Sequence, residues 1–294
     1  MIAKPEWLTI RPASTEKYND IKDSIAALGL NTVCAEAHCP NTSECWSAGT
    51  ATFMILGGTC TRGCRFCAVP KSAKGDPVDP TEPGRLAKAI HELGLKYAVI
   101  TSVCRDDIED QGSGHFAACI KEIKRFNPST AVEVLIPDFH KSVKCLKMIA
   151  DAKPDVIGHN LETVERLSPK IRDLRASYAL SLDVLKTVKE LDSTIYTKSS
   201  IMLGLGESEP EVIRAMKDLR QSNVDFLTLG QYLSPGAHQA EVKEYITPQK
   251  FDKLRQMAQK LGFLHVASGP FVRSSYKAQE AFIESMIGRK RASA

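Results

Sequence analysis

The sequence has no long apolar run, no block of one charge, no internal repeat and no low-complexity tract. Its longest stretch without Asp, Glu, Lys or Arg runs from Cys45 to Thr61, 17 residues that include Gly, Ser, Thr and Cys, too short and too polar for a membrane-spanning helix. Met1 to Ile10 has no apolar leader core, and Glu16, Asp20 and Asp23 fall where a transit peptide is poor in acid. The expectation is a cytoplasmic chain with no membrane segment. The 39 Lys and Arg against 35 Asp and Glu give a net charge of only +4, with the signs interleaved, so the dense basic footprint of a nucleic-acid binder is missing. What is present is ordinary globular composition, 43% hydrophobic and 25% charged with 15 Pro and 18 Gly, which excludes disordered, collagen-like and coiled-coil classes. A length of 294 residues suits one or two domains, or an α/β barrel that uses the whole chain.

The nine cysteines are unevenly placed. Six of them, Cys34, Cys39, Cys45, Cys60, Cys64 and Cys67, fall within 34 residues, while Cys104, Cys119 and Cys145 are scattered. A long chain with no secretory signal and close-set cysteines points to thiolates that hold metal, not to a disulfide framework. The spacings are C-x4-C-x5-C and C-x3-C-x2-C, separated by 14 residues. Structural zinc takes four tetrahedral ligands, and neither trio supplies four. Three thiolates on one short loop fit an iron-sulfur cluster with one open iron; one or two zinc sites shared among the six is the alternative. Cys119 and Cys145 lie in helical patterns and read as small hydrophobic core residues.

Apolar runs at Thr52–Leu56, Tyr97–Ile100, Val132–Ile136, Val156–Gly158, Ser200–Leu203 and Phe226–Leu229 read as buried strands. Helical patterns separate them, at Leu86–Leu93, His115–Phe126, Ser142–Ile149, Tyr178–Leu191, Glu209–Arg220 and Pro248–Leu261. Ser208 with Glu211 forms a capping-box pattern, and Thr247 before Pro248 places a cap ahead of a first-turn proline. A further helix over Tyr18–Leu28 ends at Gly29, and the Cys34 trio follows in a segment that reads as loop. Strict alternation argues for a parallel sheet with crossover helices, either a doubly wound sheet or an incompletely closed barrel. The Cys60 trio leaves the carboxyl end of the first of these strands.

C-T-R-G-C-R-F-C, Cys60 to Cys67, resembles the radical S-adenosylmethionine signature, with Phe66 before the last cysteine. The segments Cys34–Cys45, Ala51–Gly57, Ile100–Asp107, His159–Val164, Met202–Glu207, Thr228–Leu233 and Gly269–Ala278 extend the likeness, and the whole resembles the lipoyl synthase family. The Cys34 trio and the R-S-S-Y segment, Arg273 to Tyr276, separate that family from other radical S-adenosylmethionine enzymes. The neighbouring alternative is another sulfur-inserting enzyme of that kind, and the alternative from a different class is a zinc-stabilised binding module.

The resemblance implies a partial (β/α)6 barrel over residues 51–262, an N-terminal extension over 1–50 carrying Cys34, Cys39 and Cys45, and a C-terminal extension over 263–294. It implies two [4Fe-4S] clusters, one on Cys60, Cys64 and Cys67 and an auxiliary one on Cys34, Cys39 and Cys45, with Ser275, the second serine of R-S-S-Y, as its fourth ligand. Read without the resemblance, Arg273 to Tyr276 is a serine-capped helix start. The implied reaction is insertion of two sulfur atoms at carbons 6 and 8 of a protein-bound octanoyl group. S-adenosylmethionine is cleaved to a 5′-deoxyadenosyl radical, the auxiliary cluster is sacrificed, and the enzyme is a sulfurtransferase. No side-chain acid or base removes such a hydrogen, so the hard chemistry belongs to the cofactor.

Implied partners are octanoylated carriers (lipoyl domains of 2-oxoacid dehydrogenases and the glycine cleavage H protein), a flavodoxin- or ferredoxin-type electron donor and an iron-sulfur carrier protein. Phe66, Thr101 and Asn160 are candidate S-adenosylmethionine contacts. Gly204, Gly206 and Glu207 read as a strand end near the nucleotide, and Arg289, Lys290 and Arg291 as a solvated tail. Cys104 stands where many relatives carry Asp; it reads either as a tolerated small side chain or as a local change in the cofactor pocket.

Overall fold

The computed structural model describes residues 3–9, 16–36, 39, 41–47 and 52–275. The elements follow in order: α1 (Glu16–Ala27), β1 (Asn31–Thr32), α2 (Val33–Glu36), α3 (Thr42–Ser47), β2 (Thr52–Ile55), α4 (Glu82–Glu92), β3 (Tyr97–Ser102), α5 (Ser113–Phe126), β4 (Ala131–Leu135), α6 (Val143–Asp151), β5 (Val156–Gly158), α7 (Ser168–Ile171), α8 (Tyr178–Leu191), β6 (Tyr196–Leu203), α9 (Glu209–Gln221), β7 (Phe226–Gln231), α10 (Pro248–Lys260) and β8 (His265–Gly269). The strands form one sheet in sequence order from β1 to β8. The β1–β2 pair is antiparallel, and every pairing from β2 to β8 is parallel. With its first and last strands both edges of the same sheet, this is a partial barrel.

All six predicted strands are present, and their near-continuous burial, four of four residues in β2 and six of six in β7, is what a sheet covered on both faces requires. Three local expectations change. The run Phe263–Val266 leads into β8, so the sheet reaches past residue 262. The segment of the Cys34 trio is not all loop: β1 pairs with β2, and α2 and α3 carry Cys34 and Cys45. β6 begins at Tyr196, four residues ahead of the apolar run at Ser200, because the polar stretch is satisfied inside the barrel. There the buried Lys198 Nζ donates to both oxygens of Glu133 at 2.8 Å, and the Tyr97 hydroxyl donates to the same carboxylate.

That polar group and the cluster of Tyr97, Val99, Ala131, Val156 and Phe226 fill the end where the strands begin. The opposite end, where loops follow the strands, is left for chemistry. Helix boundaries follow the predicted caps. Glu211 accepts from the Ser208 N–H at 2.8 Å, and Thr247 Oγ1 accepts from the Lys250 N–H at 3.3 Å. Gly29 stops α1 with φ +57°, a backbone that glycine adopts without strain. Cys119 and Cys145 are buried on α5 and α6 as core residues. Among the described residues no helix is long and apolar enough to cross a membrane.

Candidate active site: two cysteine-lined cavities

The loop from Cys60 to Cys67 is pinned on several sides. It leaves β2 through Gly57 (φ +88°), where a Cβ would fall 2.4 Å from Asp76 Oδ2; glycine is needed because Asp76 bends over the turn to accept the Gly58 N–H at 2.7 Å. Cys60 N–H donates to Pro70 O at 2.8 Å and its carbonyl accepts from Ser72 N–H at 3.0 Å. Thr61 N–H donates to Cys104 O at 3.0 Å, Arg65 N–H to Ile171 O at 2.8 Å, and Gly63 N–H to Asp173 Oδ2 at 2.7 Å. Arg62 is buried, with paired bonds of 2.5 and 2.9 Å to Asp138 and further bonds to Asp106. Burial opposes the charge of Arg62, but these two carboxylates outweigh it and hold the guanidinium above its ordinary range. Breaking such a buried pair leaves an uncompensated charge, so the loop is fastened to the ends of β3 and β4.

Cys60, Cys64 and Cys67 line one cavity of about 180 Å³, together with Phe66, Thr101, Cys104, His159, Asn160, Glu162 and Arg172. Backbone N–H groups of Arg62 and Cys104 approach Cys60 Sγ at 3.4 Å, and that of Asp173 approaches Cys64 Sγ at 3.3 Å. A hydrogen bond from the Cys104 side chain, aided by those N–H groups and resisted by burial, lowers the Cys60 thiol to about 6. Burial pushes Cys64 up to about 11 and raises Cys67. Amide donors around sulfur fit a set of thiolate ligands. Among the described residues no three His, Cys, Asp or Glu side chains converge as a single-ion site would need; the cysteines instead ring a cavity.

A second cavity, about 1210 Å³, is lined by Cys34, Cys39, Cys45, Thr52, Arg273 and Ser275 on one side and by Ser200, Met202 and Gly230 to Tyr232 on the barrel side. Here the ligand candidates are brought together by distant contacts. Thr42 Oγ1 is within hydrogen-bond reach of both Cys34 O (3.1 Å) and Cys39 O (2.8 Å), and the ring of the buried Trp46 packs on Tyr18 of α1 at 5.2 Å. Asn41 Nδ2 donates to Phe271 O at 2.7 Å, and Thr52 Oγ1 donates to Ser275 Oγ at 2.8 Å. The chain reaches Ser275 over Gly230, where a Cβ would sit 2.1 Å from Val272 O. Burial raises the Cys34 thiol and lowers the Arg273 guanidinium, the latter opposed by Cys39 and Cys45. All nine cysteines are free thiols.

Phe66, Asn160 and Glu162 line both cavities and form the wall they share. Asn160 Nδ2 donates to Glu162 Oε1 at 3.1 Å, and burial pushes the Glu162 carboxyl up against the opposing Arg172. Sequence reasoning passed over Glu162, although it lies in the quoted His159–Val164 segment; His159 and Arg172 were likewise missed.

The structure places three further candidates in detail. Thr101 reaches the smaller cavity, but its Oγ1 donates to Leu135 O at 3.0 Å. Cys104 lines that cavity too, with its backbone N–H 3.4 Å from Cys60 Sγ. Gly204, Gly206 and Glu207 line neither cavity: Glu207 turns back to accept the Gly204 and Leu205 N–H groups at 2.5 and 2.9 Å, and the turn is tied to Lys243 and Arg166 through the Gly204 and Gly206 carbonyls. Tyr276 and the tail with Arg289, Lys290 and Arg291 lie outside the described residues, as does the sequence a Ser275 cap would need to precede.

The model of the Radical SAM superfamily matches residues 54–219. A lipoyl synthase of Methanocella arvoryzae is 52% identical over 280 residues, 95% of each chain, and one of Myxococcus xanthus is 50% identical over 288 residues, 98% of this chain and 96% of that one. Among solved structures, the FeFe-hydrogenase maturase HydG of Carboxydothermus hydrogenoformans superposes with a TM-score of 0.56 at 15% identity, covering 81% of this chain and 65% of that one. SuiB of Streptococcus suis, solved bound to S-adenosylmethionine, gives a TM-score of 0.54 at 11% identity over 75% of this chain and 51% of its own. At such identities these two show the fold alone.

Proposed function

The chain belongs to the lipoyl synthase family of the radical SAM superfamily and is an enzyme of that type, and from that premise we propose that it inserts sulfur at carbons 6 and 8 of an octanoyl group carried on the lysine of a lipoyl-carrier protein. The observation that carries the reading is the pairing of two cavities, each lined by three cysteines, across one wall of Phe66, Asn160 and Glu162. When bound, a cubane on Cys60, Cys64 and Cys67 supplies an electron to S-adenosylmethionine at its open iron, and a second on Cys34, Cys39, Cys45 and Ser275 supplies the sulfur.

The side chains bind and orient. Cys60, Cys64 and Cys67 offer three thiolates on a loop held rigid by Arg62, Asp106 and Asp138. Asn160 and Thr101 offer polar atoms at strand ends in the smaller cavity, and Phe66 presents an apolar face to both spaces. The larger cavity, about 1210 Å³, exceeds the roughly 300–1,000 Å³ of ordinary ligand pockets, leaving room for an extended acyl chain beside a cluster. Ser275 gives an oxygen where iron-sulfur clusters ordinarily take sulfur. A harder ligand holds iron less firmly at such a site, which suits a cluster that must give up sulfide. Two C–H bonds become two C–S bonds, so two molecules of S-adenosylmethionine and two electrons from a flavodoxin- or ferredoxin-type donor are required, and an iron-sulfur carrier protein rebuilds the second cluster.

The test is anaerobic turnover of the reconstituted protein with an octanoylated carrier domain, S-adenosylmethionine and reductant, with mass analysis of the carrier. Replacement of two hydrogens by two sulfurs supports the proposal. An unmodified carrier from protein loaded with two cubanes, about eight iron per chain, refutes it.

A further inference from the structure

The turn that follows α7 is bonded directly to the cysteine loop. Asp173 N–H donates to Cys64 Sγ at 3.3 Å, Asp173 Oδ2 accepts from Gly63 N–H at 2.7 Å, and Arg175 Nη2 donates to Thr61 O at 2.6 Å. The turn is also closed on itself: Asp173 Oδ1 accepts the Arg175 N–H at 3.0 Å, and Asp173 O accepts the Ala176 N–H at 2.9 Å. Between these tethers stands Leu174, 90% exposed, where the other exposed large apolar side chains among the described residues are 40 to 54% exposed. With both neighbours held in this way Leu174 cannot fold back into the core, so its exposure belongs to the fold. The rim around it is cationic. Arg65, Lys71, Lys170 and Arg175 are exposed; Arg65 N–H donates to Ile171 O beside Lys170, and Lys71 Nζ donates to Cys64 O at 3.3 Å. The carboxylates in contact, Asp106 and Asp173, keep only 12 and 13% of their side chains exposed, and both pair with Arg175. Residues 61–71 and 170–176 hold six Lys and Arg against the single Asp173, in a chain whose whole net charge is +4. Exposed apolar surface with a polar rim marks a place where a partner binds.

We propose that this face, Leu174 ringed by Arg65, Lys71, Lys170 and Arg175, is the docking site of an acidic one-electron carrier protein that reduces the cubane on Cys60, Cys64 and Cys67. Lys170, Leu174 and Arg175 line neither cavity, so the face serves a partner that passes electrons through the protein and inserts no group into it. A route is in place, since the Asp173 amide, one residue from Leu174, is hydrogen-bonded to Cys64 Sγ. The carrier is oxidised by one electron, the cubane is reduced by the same electron, and no covalent bond forms or breaks. Complementary charge acts mainly on the rate of encounter, and salt suppresses it. The docking face rests on the cluster assignment made under the proposed function, and the two fail separately. Wild-type protein that forms no 5′-deoxyadenosine even with dithionite sinks the assignment, whereas the docking face is decided by the rates with a protein donor.

The experiment reduces the full-length, reconstituted protein either with dithionite, which needs no docking face, or with flavodoxin hydroquinone, an acidic one-electron probe. Formation of 5′-deoxyadenosine and of lipoyl product is followed in both. Leu174→Asp and Lys170→Glu are expected to slow flavodoxin-driven cleavage on the order of tenfold at low salt, with the dithionite-driven rate and lipoyl yield at the wild-type level. Added salt is expected to slow the flavodoxin-driven wild type toward the Lys170→Glu rate. Lys217→Glu, at an exposed lysine of α9, controls for total charge and is expected to match wild type. Equal flavodoxin-driven rates in wild type and both variants, a wild type that takes no electrons from flavodoxin or is indifferent to salt, or a Lys217→Glu variant slowed as much as Lys170→Glu overturns the inference. Lipoyl yield lost in Leu174→Asp under dithionite would assign the face to the octanoylated carrier and overturn it as well.

Discussion

Cys60, Cys64 and Cys67 sit within eight residues whose backbone is tied to the nearby mouth of the barrel, whereas the cavity of Cys34, Cys39 and Cys45 is closed by hydrogen bonds between residues 230 and 223 positions apart in sequence, Asn41 to Phe271 and Thr52 to Ser275. The first cavity is small and its loop is braced by a buried arginine between two aspartates. The second is several times larger and is assembled from both ends of the described chain. A cofactor that must survive every turnover calls for the first kind of construction. Under the proposed function, a cluster that is opened and rebuilt is served by the second, which is closed by contacts between distant parts of the chain.

The largest expected effect separates the trios outright. Alanine at Cys60, Cys64 or Cys67 abolishes cleavage of S-adenosylmethionine, read as 5′-deoxyadenosine, because the cofactor loses a ligand; persistent cleavage in all three would erase the distinction. Next come changes confined to the second cavity. Gly230→Ala places a Cβ against Val272 O and is expected to lower auxiliary iron several-fold, as is Ser275→Ala, with the first cluster retained. If Ser275→Ala gives normal lipoyl yield and only the roughly 1 kcal/mol loss of a missing cap, its assignment as a ligand is wrong.

A smaller effect probes the bracing of the first cavity through pH. His159 is buried between Ile136 O and Ser181 Oγ, and burial lowers it to about 4. The unfolded chain takes up this proton near pH 6.5 while the folded protein does not. Stability is therefore full above about 6.5 and falls as pH drops toward 4, by about 3 kcal/mol for this group. Thermal melts at pH 7.5 and 5 should show His159→Gln losing less than wild type; equal losses would mean that other groups set the acid limit.

The same contrast explains what the sequence could reveal. The parallel strands, their helices and the Cys60 spacing are local patterns, and they were legible to within a few residues. The early start of β6 was hidden because Lys198 is satisfied by Glu133 of another strand, a pairing no period-two pattern reports. The short elements around Cys34 were obscured by Asn, Pro, Ser and Thr, which favour loops by propensity, although Asn31 and Thr32 are held by pairing with β2. Glu162 and Cys104 come beside the cysteine loop only when the ends of β3, β4 and β5 converge on it. Ser275 came from family resemblance alone, since nothing in its spacing from Cys45 foretells a shared cavity.

The most direct test of this division uses Cys39→Ala, reconstituted and reduced anaerobically with S-adenosylmethionine and an octanoylated carrier domain, with 5′-deoxyadenosine and carrier mass measured in the same samples. The expected result is continued 5′-deoxyadenosine formation with no gain of sulfur on the carrier. Cleavage lost as completely as in Cys60→Ala, or sulfur still delivered to the carrier, would contradict the separate roles of the two trios.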